Sequence, residues 1–261
     1  LSQTSPIIIY VYTTLTVVAL YGNYMLIVMG VQTLMTAMFN SMNAGIGNLV
    51  AEGDKRKIMS VFAELFSIRF LFSCIMCFGV LMITPAFVSF WIGKKYVMDS
   101  LSLLLMTAIL FVNLSRTTVD AYINAYGLFG DIWAPIVEAS LNVGLSIILG
   151  YYFGLHGVLS GVLISLLLVV FCWKPYYLFR KGLDERLSIY IFMYARHLMA
   201  ALLCGVIVCL GMRYSMVQGD TTFFDGLLGI LVFSILSTLT LLCVAPGMRN
   251  LMRRFIRMCH V

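Results

Sequence analysis

The first fifty-one residues carry no charged side chain, and after Glu52 the lysines and arginines gather in every second gap between long apolar runs. This pattern constrains the fold more than any motif does. Positive charge that alternates between gaps marks a chain crossing a membrane repeatedly, with one set of gaps held on one side. Composition agrees: 62% of the 261 residues are hydrophobic and 11% charged, with mean hydropathy +1.01. A soluble domain is nearer half apolar and a quarter charged, so lipid must be the solvent for much of this surface. A β-barrel is excluded, because its strands alternate over about ten residues; these runs are twice that length and do not alternate.

A helix needs about 20 residues to cross about 30 Å of hydrocarbon. The uncharged stretch Leu1 to Ala51 therefore suits two spans, residues 6–20 and 24–46, with Tyr21-Gly22-Asn23 as the turn between them. Leu1 in place of Met, and scant polar sequence before Pro6, read as the later part of a longer protein entered inside its first helix. After the charged loop from Glu52 to Lys57, residues 58–68 with Glu64 read as an amphipathic lead-in along the interface. Further spans fall at 69–91, 101–126, 132–152, 157–178, 189–212 and 223–245, making about eight in all. The fold expected is all-α, a polytopic transmembrane helix bundle.

On this reading eleven Lys and Arg side chains fall on one side and three (Lys94, Lys95, Arg213) on the other. Positive charge is retained in the cytoplasm, so the C-terminal tail with Arg249, Arg253, Arg254 and Arg257 should be cytoplasmic. The net charge of +6 does not indicate nucleic acid, because the basic clusters are short and form no continuous face. The seven cysteines lie almost all inside apolar runs, and Cys74-x-x-Cys77 has no second pair or nearby histidine, so they read as small buried hydrophobes. His156 reads as an interfacial polar residue rather than a metal ligand, and no cofactor is expected.

Charges within spans cost about 2.5–3.5 kcal/mol each on insertion scales and are candidates for function. The fourth span is richest: Asn113, Arg116, Thr117, Asp120 and Asn124 recur at spacings of three and four and share one face. Arg116 and Asp120 can pair at i, i+4. Glu138 and Asn142, also four apart, sit on the fifth span. Asp120 precedes Gly127 by seven residues and Glu138 follows Asp131 by seven, which places both about 10 Å from the same end. Arg116, Asp120, Glu138 and Asn142 should therefore meet. Such a cluster either ties helices together through a neutralised Arg116 or lines a water-filled cavity for an anionic head group or a coupling cation. Arg69 and Arg196, near span ends, are expected to snorkel to the interface. Pro135 and Pro175 lie near helix ends, and Gly150, Gly154, Gly157 and Gly161 permit close helix approach. No nucleophile elbow, phosphate-binding glycine loop or zinc motif is present, so the chain is not expected to be an enzyme.

Several segments resemble the polysaccharide-transport branch (O-antigen and capsule flippases) of the multidrug/oligosaccharidyl-lipid/polysaccharide exporter superfamily. Tyr21-Gly22-Asn23-Tyr24 and Ile46-Gly47-Asn48-Leu49-Val50-Ala51 resemble the link before the family's eighth helix and the close of that helix. Leu141-Asn142-Val143, with Gly154-Leu155-His156-Gly157-Val158, resembles the eleventh helix and the turn that follows. Trp173-Lys174-Pro175-Tyr176-Tyr177-Leu178-Phe179 resembles the close of the twelfth. The resemblance runs along essentially the whole chain and implies the second half of a fourteen-helix transporter. Residues 1–180 would form the second six-helix bundle, 181–245 two added helices and 246–261 a basic cytoplasmic tail. It further implies a flippase of the bacterial inner membrane that moves a polyprenyl-pyrophosphate-linked oligosaccharide by alternating access. The partners implied are that lipid-linked oligosaccharide, membrane lipids and polysaccharide polymerase machinery. Arg116 would meet the pyrophosphate, Asn113, Asp120 and Asn124 would line the cavity, and Glu138 and Asn142 would serve coupling to Na+ or H+ or a structural role. Family cavities are cationic, whereas only Arg116 lies deep on this reading. Three other classes compete, one of them a non-transporting membrane scaffold, against which the polar face of the fourth span argues. A cation-coupled drug antiporter would show acidic cavity residues, as Asp120 and Glu138 allow. A membrane glycan polymerase or ligase would carry a long outer loop rich in Arg and His; the gap from Arg213 to Asp225 has a single Arg.

Overall fold

The computed structural model describes residues 5–216 and 223–259. The described residues form helices and no strands: α1 (Ser5–Tyr12), α2 (Leu15–Glu52), α3 (Lys55–Trp91), α4 (Ser100–Ser115), α5 (Thr117–Ala125), α6 (Trp133–Leu166), α7 (Lys174–Leu178), α8 (Leu187–Met216), α9 (Phe223–Val244) and α10 (Pro246–Cys259). Six helical stretches are long and apolar enough to cross a membrane, so the chain is a helical bundle of the multi-pass membrane type. The gap between α8 and α9, whose shortness weighs against a polymerase, lies largely outside the described residues.

The partition into eight spans is not reproduced as the sequence suggests. The turn expected at Tyr21-Gly22-Asn23 does not exist: α2 is continuous over 38 residues, about 57 Å at the α-helical rise. The reversal comes earlier, at Thr13-Thr14. There the Thr13 hydroxyl donates back to the Ile9 carbonyl (2.6 Å) and Thr14 adopts an extended conformation. Tyr21 and Tyr24 are buried on the inner face of α2, and the Tyr24 hydroxyl accepts a hydrogen bond from the Met98 backbone N–H (2.9 Å). Packing of these two rings holds Gly22 inside a helix. Without water to solvate a broken turn, an intact backbone ladder outweighs a weak glycine break.

The connection from α2 to α3 is two residues long. Gly53 closes α2 in the left-handed region (φ 76°), and the Asp54 carboxylate accepts from the Arg56 and Lys57 backbone N–H groups to cap α3. The expected interfacial lead-in at 58–68 is instead the most densely aromatic part of the core. Phe62, Phe66 and Phe70 recur every fourth residue on α3 and are buried against Tyr122, Phe179, Tyr190 and Tyr194, with ring centroids 5.0–5.9 Å apart. Glu64 is buried with them. The amphipathic pattern of this segment faces other helices rather than a lipid surface.

The stretch from Trp133 to Leu183 is helical throughout but not straight. Asn142 Nδ2 donates to Ser165 Oγ (3.3 Å) and Ser146 Oγ to the Val158 carbonyl (3.3 Å). A straight helix would hold residues 23 apart about 35 Å from each other. The chain therefore reverses at Gly154, whose φ of 57° and ψ of −130° only glycine takes without strain. The two arms, which correspond to the spans expected at 132–152 and 157–178, pack almost backbone to backbone. A Cβ on Gly157 would stand 1.9 Å from the Leu149 carbonyl oxygen, and one on Gly161 2.6 Å from the Ser146 nitrogen. The second arm widens into π-helix over Leu167–Trp173, just ahead of Pro175, which has no N–H to give.

The Lys- and Arg-rich gaps meet at one end of the bundle. Lys55 bonds Asp184 across it (2.9 Å), and Arg254 of α10 reaches Glu64 of α3 (3.3 Å). At the other end Asp99 bonds His156 (2.8 Å), joining the start of α4 to the α6 reversal. The described part of the basic tail is helix α10, docked on α3.

Candidate functional site

A cleft opens between α2 on one side and the α6 hairpin on the other, with α4 and α5 as its floor. It has two connected parts, of about 380 and 290 Å³, that share Gln32, Asn113 and Arg116. The larger part is walled by Tyr21, Met25 and Val28 of α2 and by Glu138, Asn142 and Leu159 of α6. The smaller is lined by Thr36, Asn40 and Asn43 of α2, Arg69 of α3, and Thr117 and Asp120 of α5. Both parts carry amide groups and the Arg116 guanidinium; the larger adds methionine, valine and leucine walls with Glu138, and the smaller adds threonine hydroxyls and a second guanidinium.

Arg116 sits at the break between α4 and α5, at the junction of the two parts. The expected i, i+4 pair is present: Arg116 Nε lies 3.3 Å from Asp120 Oδ2. The other Asp120 oxygen accepts from Lys174 Nζ at 2.8 Å. Asp120 is therefore shared by two cations, and its single negative charge leaves the trio positive. Lys174 thus belongs to the edge of the site.

Arg69 departs furthest from expectation. It does not snorkel; it is 2% exposed and is the largest fully buried side chain among the described residues. Its guanidinium donates to the Thr117 carbonyl (3.0 Å), to Asn43 Oδ1 (2.9 Å) and, weakly, to the Phe39 carbonyl (3.5 Å), and it lies 5.3 Å from the Phe39 ring centroid. No carboxylate is paired with it among the described residues, and its Nε has no partner. A buried cation held by dipoles alone is costly, and here it borders the smaller part of the cleft. The sequence signal that could have found it is Asn40 and Asn43 in the uncharged stretch before Glu52, a polar turn that has no reason to face lipid.

The remaining candidates separate. Asn113 lines both parts of the cleft, although its amide also donates to the Ile109 carbonyl of its own helix (3.0 Å). Glu138 is 5% exposed and lines the larger part; no ion pair joins it to Arg116. Asn142 ties the two arms of the α6 hairpin through Ser165, while its Oδ1 is buried without a hydrogen-bond partner. Asn124 is exposed at the end of α5 and borders neither part of the cleft. Arg196 stands apart on α8, its guanidinium 5.8 Å from the Phe192 ring. Cys74 and Cys77 are buried in the core. No group of three or more metal-ligating side chains occurs among the described residues.

No protein-family model, curated protein or solved structure matches this chain.

Proposed function

We propose that the protein is a flippase that carries a polyprenyl-pyrophosphate-linked oligosaccharide across a bacterial inner membrane by alternating access, for assembly of a surface polysaccharide such as O-antigen or capsule. The observation that carries this reading is Arg69: a buried guanidinium without a carboxylate, in the same cleft as Arg116. A pyrophosphate crossing about 30 Å of hydrocarbon must exchange its water for fixed donors. Two guanidinium groups, Asn113 and the amides of α2 supply charge-assisted and neutral donors of that kind. The adjoining larger volume suits the first sugars, with amides as donors and acceptors. The basic end of the bundle would face the cytoplasm by the positive-inside rule, so substrate would enter from the end that holds Arg116, Asp120 and Lys174. Polysaccharide polymerase machinery would receive the product on the far side.

A second reading, a cation-coupled antiporter, is favoured by Glu138 and Asn142. A buried carboxylate without an ion-pair partner, one helical turn from an unpartnered amide oxygen, offers two donors to H+ or Na+. In a flippase the same pair would couple transport to the ion gradient.

The test is a proteoliposome assay with lipid-linked oligosaccharide, read by access of an impermeant glycan-modifying enzyme, alongside efflux of cationic dyes. Protein-dependent access that falls at least tenfold in Arg116→Ala and Arg69→Met is the expected result. Dye efflux abolished by Glu138→Gln, without oligosaccharide movement, would replace the flippase with the antiporter.

A further inference from the structure

The C-terminal helix α10 is too short to cross a bilayer, at 14 residues or about 21 Å, and it is strongly two-faced. One part of its apolar arc is docked. Gly247 fits so tightly against α3 that a Cβ would stand 2.3 Å from the Ala63 carbonyl oxygen, and Met248 is buried with Leu71 of α3 and Ala200 of α8. The rest of that arc is uncovered: Met252 is 37% and Ile256 49% exposed. Arg249 and Arg253 lie on the polar arc, Arg249 at its boundary with Ile256, and both are exposed; among the described residues no carboxylate pairs with either. Arg254 at the arc's edge reaches the buried Glu64, which fastens the helix to α3.

A fourth arginine from another element faces the same region. Arg196 of α8 adjoins His197, whose Nε2 meets Ser67 Oγ (2.9 Å), and Ser67 is the residue that the first turn of α10 crowds. Arg196 is half-buried and its Nε has no hydrogen-bond partner. Arginines on two helices with no carboxylate paired to them among the described residues call for an anion. The exposed methionine and isoleucine beside them call for hydrocarbon.

We propose that α10 is an interfacial helix that binds anionic phospholipid headgroups through Arg249, Arg253 and Arg196, with Met252 and Ile256 entering the acyl region. This is the geometry of an amphipathic helix lying at the boundary between headgroups and acyl chains, where each arginine near the surface favours anionic over zwitterionic lipid. The proposal is independent of what the cleft transports.

The test reconstitutes the full chain in phosphatidylcholine vesicles carrying a small fraction of spin-labelled phosphatidylglycerol or spin-labelled phosphatidylcholine. The fraction of each label motionally restricted by the protein is then measured. The native chain should prefer phosphatidylglycerol, and the preference should shrink as salt is raised. Arg249→Gln/Arg253→Gln should lower it by up to about 25-fold, about fivefold for each arginine, while Arg249→Lys/Arg253→Lys should retain most of it. Lys94→Gln/Lys95→Gln at the opposite end should leave it unchanged. No preference in the native chain would overturn the assignment and leave the basic arc to an acidic protein partner. A preference that survives the glutamine pair, or is lost equally in the lysine pair, would also overturn it.

Discussion

At the scale of single residues, the cleft is defined by how its charges are compensated. Asp120 is held by Arg116 and Lys174, whereas Arg69 has only carbonyl and amide oxygens. Replacing a buried ion pair with apolar residues of similar volume is often neutral, or stabilising by about 1–4 kcal/mol, and a lone buried cation has no Coulombic partner to lose. Arg69→Met is therefore expected to leave the unfolding temperature in detergent unchanged or raised while transport falls. A marked loss of stability would make Arg69 a structural strut. The Arg116–Asp120 pair was legible because i, i+4 spacing fixes neighbours within one helix. The burial of Arg69 was not: its position near the predicted end of a span says how deep it lies, but not which helices surround it.

At the scale of elements, two joints carry quantitative expectations. The α6 hairpin depends on backbone approach at Gly157 and Gly161, where an added Cβ would strike backbone atoms. Gly157→Ala or Gly161→Ala should destabilise the fold by roughly 3 kcal/mol or more, since backbone cannot yield as a flexible side chain can. Gly144→Ala, with no neighbouring atom within 4 Å, should be neutral or slightly stabilising. Thermal unfolding of the three variants in one detergent decides this. The second joint is Asp99 with His156. Burial alone would push the Asp99 carboxyl up, but hydrogen bonds from His156 and from Ser102 outweigh it and hold it at about 2, below its usual 3.8. A depressed carboxyl contributes stability that is complete above about 3.8 and is lost as pH falls through about 2. Asp99→Asn should accordingly flatten the acid limb of stability measured between pH 2 and 5; an unchanged limb would show that the pair adds nothing.

At the scale of the whole molecule, the ion pairs Lys55–Asp184 and Arg254–Glu64 place three basic segments at one end, and Asp99–His156 places the Lys94 segment at the other. Single cysteines at Lys55 and Glu185 should therefore react with an impermeant maleimide from the same side, and one at Lys94 from the opposite side. The positive-inside rule makes the first side cytoplasmic; labelling of all three from one side would refute the arrangement. By itself, the sequence determined that lipid is the solvent, that the secondary structure is helical, and that basic residues segregate. Each follows from local composition and from a backbone that must satisfy its own hydrogen bonds in hydrocarbon. Only the tertiary structure decided where the chain turns and which polar groups meet. The reversal at Thr13-Thr14 rather than at Gly22, the inward Phe62-Phe66-Phe70 face and the burial of Arg69 all depend on neighbours distant in sequence. In a chain this apolar, a side chain facing lipid and one facing another helix look alike until the packing partner is known.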